Sequence, residues 1–136
     1  LDGDGRADVR TVIADGWGYT DDYHDWTTGI VRDSAGRLYI GLGSDYAKAG
    51  RTSDQGRLRG KVVRVERDGS LTVLGHEFRY PTGLAITSDD QVFVSDNQGV
   101  QNPFNEINHL VDGARYGVPS LFEEHHTEPP RPPALQ

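Results

Sequence analysis

Oxygen-bearing side chains are concentrated between positions 96 and 106 of the sequence. This segment holds Asp96, Asn97, Gln98, Asn105 and Glu106, whose carboxylate and amide oxygens are suitable ligands for a hard cation. Calcium takes about six to eight such oxygens from carboxylates, amides and backbone carbonyls. The segment is therefore a candidate site for a cation. A loop braced by hydrogen bonds of its own Asn and Asp side chains is the alternative interpretation.

Two further polar clusters have less suitable spacing. Asp2, Asp4 and Asp8 are arranged like the start of a calcium loop. The EF-hand pattern has a Glu at the position that Ile13 occupies here, so we predict a tight turn instead. The His pair at 125–126 lies among glutamates. Because adjacent residues of an extended chain point to opposite sides, this pair favours a solvated loop over a shared metal.

The composition excludes several classes of partner. The 136 residues carry a net charge of -7, with Lys and Arg scattered among carboxylates, so no nucleic-acid partner is expected. The chain has no Cys, which excludes disulfides and zinc-thiolate sites within it. No apolar run reaches about 18 residues, so no membrane insertion is expected in this segment. Short apolar runs separated by many of the 17 Gly and 7 Pro indicate an all-β fold.

A hairpin pattern occurs twice along the chain. The segment 29–43 has an apolar strand, a polar turn at 33–36 and a second strand, and the segment 83–97 repeats this order position by position. A further hairpin is predicted between them, with strands at 61–66 and 71–74. Val9 to Ala14 is predicted to be the outer strand of a preceding unit.

Four-stranded units at this spacing are typical of β-propeller blades. We therefore predict an all-β partial β-propeller of about two and a half blades at 1–128, from a six-bladed ring, and a Pro-rich connector toward a missing blade at 129–136. Blades pack only against neighbouring blades. We expect the remaining blades to come from a longer protein or from a partner chain, including further copies. A small β-sandwich is the alternative.

Four segments of the chain resemble a known family. The segments 59–69, 78–84 and 92–97 are similar to the central blades of glucose/sorbosone dehydrogenases, which use pyrroloquinoline quinone with calcium. The segment 105–119, with Asn-Glu-Ile-Asn at its start and Tyr-Gly-Val-Pro at its end, resembles that family's most specific signature. The related membrane-bound dehydrogenase-like propellers resemble the chain at 23–26 and 33–39.

The resemblance implies a set of site residues. His24 would be the base that takes a proton from a small sugar or alcohol, and Arg79 would be a catalytic residue that also contacts the quinone. Gln98 and Gly99 would contact the cofactor and supply calcium ligands. Further calcium ligands would be Asn105, Glu106 and the carbonyl of Tyr116. The resemblance also implies a periplasmic or extracellular location.

The sequence departs from the family at positions that matter for this chemistry. Tyr80 stands where the family has an Asn beside the quinone, Val100 replaces a proline, and Asn105 replaces a charged Asp. Each lost charge lowers the affinity of a loop for calcium. The alternative hypothesis is a non-catalytic propeller scaffold that binds a protein or glycan partner through its loops.

Overall fold

The structure is a computed structural model that describes residues 2–18, 25–44, 52–98, 103–119 and 126–135. Within these ranges the chain forms eight strands and one single-turn helix. The strands are β1 (Thr27–Arg32), β2 (Leu38–Leu42), β3 (Lys61–Val65), β4 (Leu71–His76), β5 (Pro81–Ile86), β6 (Val92–Asp96), β7 (Glu106–His109) and β8 (Ala114–Arg115), and the helix is α1 (Ser53–Gly56).

The strands form two sheets. The large sheet has the order β1-β2-β3-β4-β8, and the small sheet has the order β5-β6-β7. Neighbouring strands are antiparallel except for β4 and β8, which are parallel. Leu135 adds an isolated antiparallel bridge to Ile107 at the edge of the small sheet. The expectation of an all-β fold is confirmed for the described residues.

The repeated hairpin of the sequence is present as two equivalent hairpins. β1 begins at 27 and β5 at 81, while β2 begins at 38 and β6 at 92, so both strands recur at the same interval with unchanged lengths. We call this spacing the repeat interval. Each first strand also carries a register irregularity, between Thr28 and Ile30 in β1 and between Pro81 and Gly83 in β5. The predicted repeat therefore corresponds to a repeated piece of structure.

The two hairpin turns use the same backbone hydrogen bonds. In the first, the amide of Gly36 donates to Asp33 and the amide of Asp33 donates to Arg37. In the second, Asp90 donates to Thr87 and Thr87 donates to Gln91 at the equivalent positions. The residues that close the turns have positive φ, 84° at Gly36 and 62° at Asp90. Glycine adopts this conformation without strain, and Asp tolerates it better than most residues.

The large sheet is covered on both faces. One face packs against the small sheet in a core that contains Tyr39, Val62, Leu74, Phe78, Val92, Val94 and Tyr116. The opposite face buries Ile40, Leu42, Leu58, Val63 and Val65, with Ala14 and Trp17 packed against them. Alternate residues of the central strands thus enter two different cores, which explains their nearly continuous apolar sequence.

The first strands of the two hairpins lie side by side. The Thr28 hydroxyl lies within hydrogen-bonding distance of the carbonyls of Gly41 and Pro81. Gly29 is so close to β5 that an added Cβ would lie 2.6 Å from Cδ1 of Leu84. At the other end of the strands, the Ser34 amide donates to the carboxylate of Asp90 at 2.9 Å. Contacts along the whole length of β1 therefore fix the small sheet against the large one.

The prediction of an outer strand at 9–14 is wrong. These residues form no strand, and the side chains of Val9, Val12 and Ile13 are exposed. A strand needs a neighbouring edge with which to pair, and the described sheets place none beside this segment. The Pro-rich segment that was predicted as a connector contacts both sheets. The Ala134 amide donates to Ile107 in the small sheet, and the Arg131 amide donates to Arg115 in β8 of the large sheet.

Among the helices of the described residues, none has the length and apolar character needed to cross a membrane.

We predict that Gly29→Ala destabilises the fold more than a matched glycine substitution. Gly29 combines a φ of 54° with the contact to Leu84, whereas Gly113 has a φ of 72° and open space around it. Gly113→Ala should lower the free energy of unfolding by about 1 kcal/mol through backbone strain. Gly29→Ala should lower it by about 2 to 4 kcal/mol, because overpacking adds to the strain. Urea unfolding of both variants measures the difference.

The contact itself is tested by a double-mutant cycle. Leu84→Ala removes the atom nearest to the new methyl group, so the combined variant should lose less stability than the two single variants added together. Strict additivity of the two changes would contradict the side-by-side arrangement of β1 and β5.

Candidate functional site

Loops from both sheets meet at one end of the molecule, where the amide of Ser44, after β2, donates to the carbonyl of Arg79 at 3.0 Å. The amide of Asn97, after β6, donates to the carbonyl of Tyr80 at 3.3 Å. We call this region the Asp96 rim and define it by Ser44, Arg79, Tyr80, Asp96 and Asn97. Arg79 and Asp96, which the sequence singled out separately, are brought together here.

The carboxylate of Asp96 organises the rim. The Asp96 side chain is buried, with 1% of the residue exposed, and it accepts three backbone hydrogen bonds. Arg79 donates at 2.9 Å, Tyr80 at 2.6 Å and Asn97 at 3.0 Å. Asp96 thus ties the connection between β4 and β5 to the end of β6.

The same burial changes the acidity of this group. Loss of hydration raises the pKa of Asp96 to about 6, and the nearby charge of Glu106 raises it as well, while the hydrogen bonds from Arg79, Tyr80 and Asn97 lower it. Burial disfavours the charged carboxylate, whereas N–H donors favour it. Burial is the largest effect here, so Asp96 ionises within the mildly acidic range.

The predicted calcium loop is described only in part, because Gly99 lies outside the described residues. In the described part, the Asn105 side-chain oxygen accepts the Gln98 amide at 2.9 Å, and Glu106 lies 3.5 Å from the amide nitrogen of Asn108. Asp96 already accepts three hydrogen bonds. No group of three or more His, Asp or Glu side chains suited to a metal occurs in the described residues.

In the described part of this loop, the oxygens of Asp96 and Asn105 accept backbone N–H groups and so brace the loop, as Asx side chains commonly do. Calcium binding by this loop stays a prediction.

Tyr116, whose carbonyl was a predicted calcium ligand, has its side chain in the core. Its ring stacks on Phe78 with a centroid distance of 4.3 Å. Its hydroxyl donates to the carbonyl of His109 at 2.8 Å and accepts the amide of Val111 at 2.9 Å. The side chain of Tyr116 thus joins the end of β7 to β8.

Arg79 has a buried polar atom, its Nε, which makes no hydrogen bond to any of the described residues. Beside it, burial raises the pKa of the Tyr80 phenol, Arg79 lowers it, and the charge of Asp25 raises it. His24, the predicted base, lies outside the described residues, although Asp25, the residue that follows it, is near this rim.

Sequence reasoning did not single out Arg59 as a structural residue. Arg59 is 2% exposed and donates to the carbonyls of Asp25 at 2.5 Å and Gly18 at 2.6 Å. A buried arginine that holds backbone carbonyls leaves no pattern in the sequence, apart from its place two residues before an apolar strand.

A cleft of about 700 Å³ lies beside the rim on the small sheet. Its floor is the outer face of β5, β6 and β7, and we call it the small-sheet groove. It is lined by Thr82, Ser95, Asp96, Asn97, Asn105, Glu106, Ile107 and Leu135. Hydroxyl groups of Thr82 and Ser95 lie 3.1 Å apart at its centre. The groove thus combines a polar rim with an apolar wall.

A protein-family model described as a domain of unknown function, DUF7133, matches residues 1–131. The chain belongs to this family. No curated protein matches it. The DUF7133 match spans both sheets, so the repeated hairpins and the rim between them are parts of one family domain.

We predict that the stability of this DUF7133 chain depends on the ionisation of Asp96. Its pKa is about 6 in the folded chain and 3.8 as the ordinary value, so the folded chain holds this proton more tightly. The resulting contribution to stability is complete below pH 3.8 and is lost as the pH rises through about 6. A shift of this size corresponds to about 3 kcal/mol.

Asp96→Asn isolates this effect, because the amide has no proton to lose. We expect the wild type to lose about 2 to 3 kcal/mol relative to Asp96→Asn between pH 4 and 6, on top of a constant cost for the altered hydrogen bonds. Asp89→Asn is the control, since a hydrogen bond from Thr87 lowers the pKa of Asp89 and its contribution is instead lost as the pH falls. A wild-type minus Asp96→Asn difference that does not change with pH would refute the assignment.

Proposed function

We propose that this DUF7133 chain is a non-catalytic scaffold built as two adjacent blades of a β-propeller. The observation that carries the proposal is the side-by-side packing of β1 and β5, which are equivalent strands of a repeat. Propellers place equivalent sheets next to one another around an axis, so equivalent strands of neighbouring blades meet. A β-sandwich offers no reason for the same strand of two repeats to meet.

The four strands β1 to β4 form one antiparallel blade in chain order. The strands β5 to β7 are three strands of the next blade, and Leu135 supplies a bridge at its outer edge. The proposed blades thus follow the chain order that a propeller requires. The short strand β8, parallel to β4, lies outside this regular pattern.

A scaffold role is supported by the way the polar residues of the rim are used. Asp96 and Asn105 accept backbone hydrogen bonds, and Tyr116 stacks in the core. These side chains hold loops and sheets together. Tyr80 stands where the glucose/sorbosone dehydrogenases have an asparagine beside the quinone, and this departure is consistent with a scaffold role.

The second candidate is the activity that the resemblance implies, oxidation of a sugar or alcohol by a propeller of the periplasm or extracellular space. The buried Nε of Arg79 favours it, because a guanidinium nitrogen without an acceptor among the described residues is suited to bind a carboxylate of pyrroloquinoline quinone. The quinone would supply the electron acceptor. Arg79 would orient it, and Gln98 and Glu106 would be the residues nearest to a calcium ion.

A binding titration separates the two candidates. If the chain is a scaffold, pyrroloquinoline quinone with excess calcium should show no saturable binding, and a chelator should leave the Tm unchanged. Saturable binding that Arg79→Ala abolishes would overturn the scaffold proposal. Arg131→Ala is the matched control, because it removes an exposed guanidinium outside the rim.

A further inference from the structure

The outer face of the small sheet repeats the face of the large sheet that the small sheet covers. The positions Thr28, Val31 and Tyr39 are covered by the small sheet. Their equivalents one repeat interval later in the chain are Thr82, Ala85 and Phe93. Val31 and Tyr39 belong to the core between the sheets. Thr82 and Ala85, in contrast, are exposed. The repeat thus supplies a second contact face of the same kind, and the described residues leave it uncovered.

The residues that make the closest contacts are repeated as well. The Thr28 hydroxyl donates to a carbonyl of β5, and Gly29 has no side chain, so that β5 can lie close to it. Thr82 and Gly83 reproduce this pair on the outer face, where the Thr82 hydroxyl contacts only Ser95 among the described residues. Ser34, which bonds to Asp90, has the equivalent Ser88, which is exposed. The second face therefore retains the small and hydroxyl-bearing residues that close packing uses.

The edge of this face is apolar. Ile107 and Leu135 border the small-sheet groove with 42% and 64% of their surfaces exposed. Apolar side chains at the border of a groove of about 700 Å³ give a partner a surface to bury.

Part of the complementary surface is exposed on the large sheet. The small sheet docks through Leu84, Val92 and Val94, and their equivalents one repeat interval earlier are Ile30, Leu38 and Ile40. Ile30 is 64% exposed on β1. A cleft of about 390 Å³ at the end of β1 is lined in part by Arg32, Leu38 and Val65. Ala14 and Trp17 pack against the buried part of this face, which includes Ile40, whereas Ile30 on β1 stays exposed.

We propose that a second copy of this chain docks in the small-sheet groove through the exposed surface of its β1, at Ile30. Ile30 of the second copy lies against Gly83, as Leu84 lies against Gly29 within one chain. This inference rests on the proposed two-blade arrangement. The two surfaces differ, so the contact is head to tail and further copies add in the same sense until a ring closes.

The first test is the concentration dependence of the mass of the 136-residue chain in sedimentation velocity. We expect reversible self-association that Thr82→Arg weakens about 10-fold or more, because a charged side chain then fills the groove. Asp112→Arg places the same side chain at an exposed turn outside the groove and should leave the association unchanged. A chain that stays monomeric throughout the series overturns the proposal.

The second test determines the relative orientation of the two copies. The chain has no native cysteine, so each disulfide must form between introduced cysteines. Within the chain Thr28 lies beside Pro81, so Thr82 of one copy should lie beside Thr27 of the next. Under oxidising conditions, Thr82→Cys should cross-link to Thr27→Cys faster than to Asp112→Cys. Faster cross-linking of Thr82→Cys to itself would indicate a symmetric dimer and would also overturn the proposal.

Failure of this inference and failure of the two-blade arrangement give different results. The coupling between Gly29 and Leu84 reports on packing within one chain. A monomer that keeps this coupling overturns the docking proposal and leaves the two-blade arrangement standing, whereas loss of the coupling counts against the arrangement itself.

Discussion

The close approach of β1 and β5 is the constraint on which the packing of the two sheets depends. An added Cβ at Gly29 would lie 2.6 Å from Leu84, so this position has room for hydrogen alone. The strand register shifts at the same place, between Thr28 and Ile30. Bulges of this kind bend a strand and increase its twist. Here the irregularity lets two first strands meet while Val92 and Val94 reach the shared core.

The two repeats solve one structural problem with different chemistry. Asp96 is equivalent to Leu42, and both are fully buried at the end of a second strand. In the second repeat, the Asp96 carboxylate holds the amides of residues 79 and 80. A leucine side chain cannot accept hydrogen bonds. In the first repeat, Arg59 instead fixes the segment before β1 by donating to the carbonyl of Asp25. An anion binds amides in one case and a cation binds carbonyls in the other.

The sequence predicted the local structure better than the long-range contacts. The two hairpins and their turns follow from alternating apolar residues and from turn residues such as Gly36 and Asp90, which act over a few positions. The segment 9–14 has the same apolar character, but its pairing depends on a neighbouring edge that no local pattern reveals. Its prediction as a strand failed for that reason. The oxygen-rich loop illustrates the same limit, because its composition indicated acceptors around Asp96 and Asn105 but could not show which donors occupy them. The donors to Asp96 include amides 16 and 17 residues earlier in the chain.

The two outer faces explain why a repeat of this kind favours an assembly of defined polarity. A face-to-face dimer of small sheets would set Thr82 and Ser95 against their own copies, and these hydroxyls already pair with each other. The side chains at the centre of the groove therefore gain little from a symmetric partner. The exposed aliphatic surface at Ile30 of β1 suits the groove better, because burial of apolar surface stabilises the contact. Gly83, beside Thr82, leaves room for a neighbouring strand. The same asymmetry already operates inside the chain, between the large and small sheets.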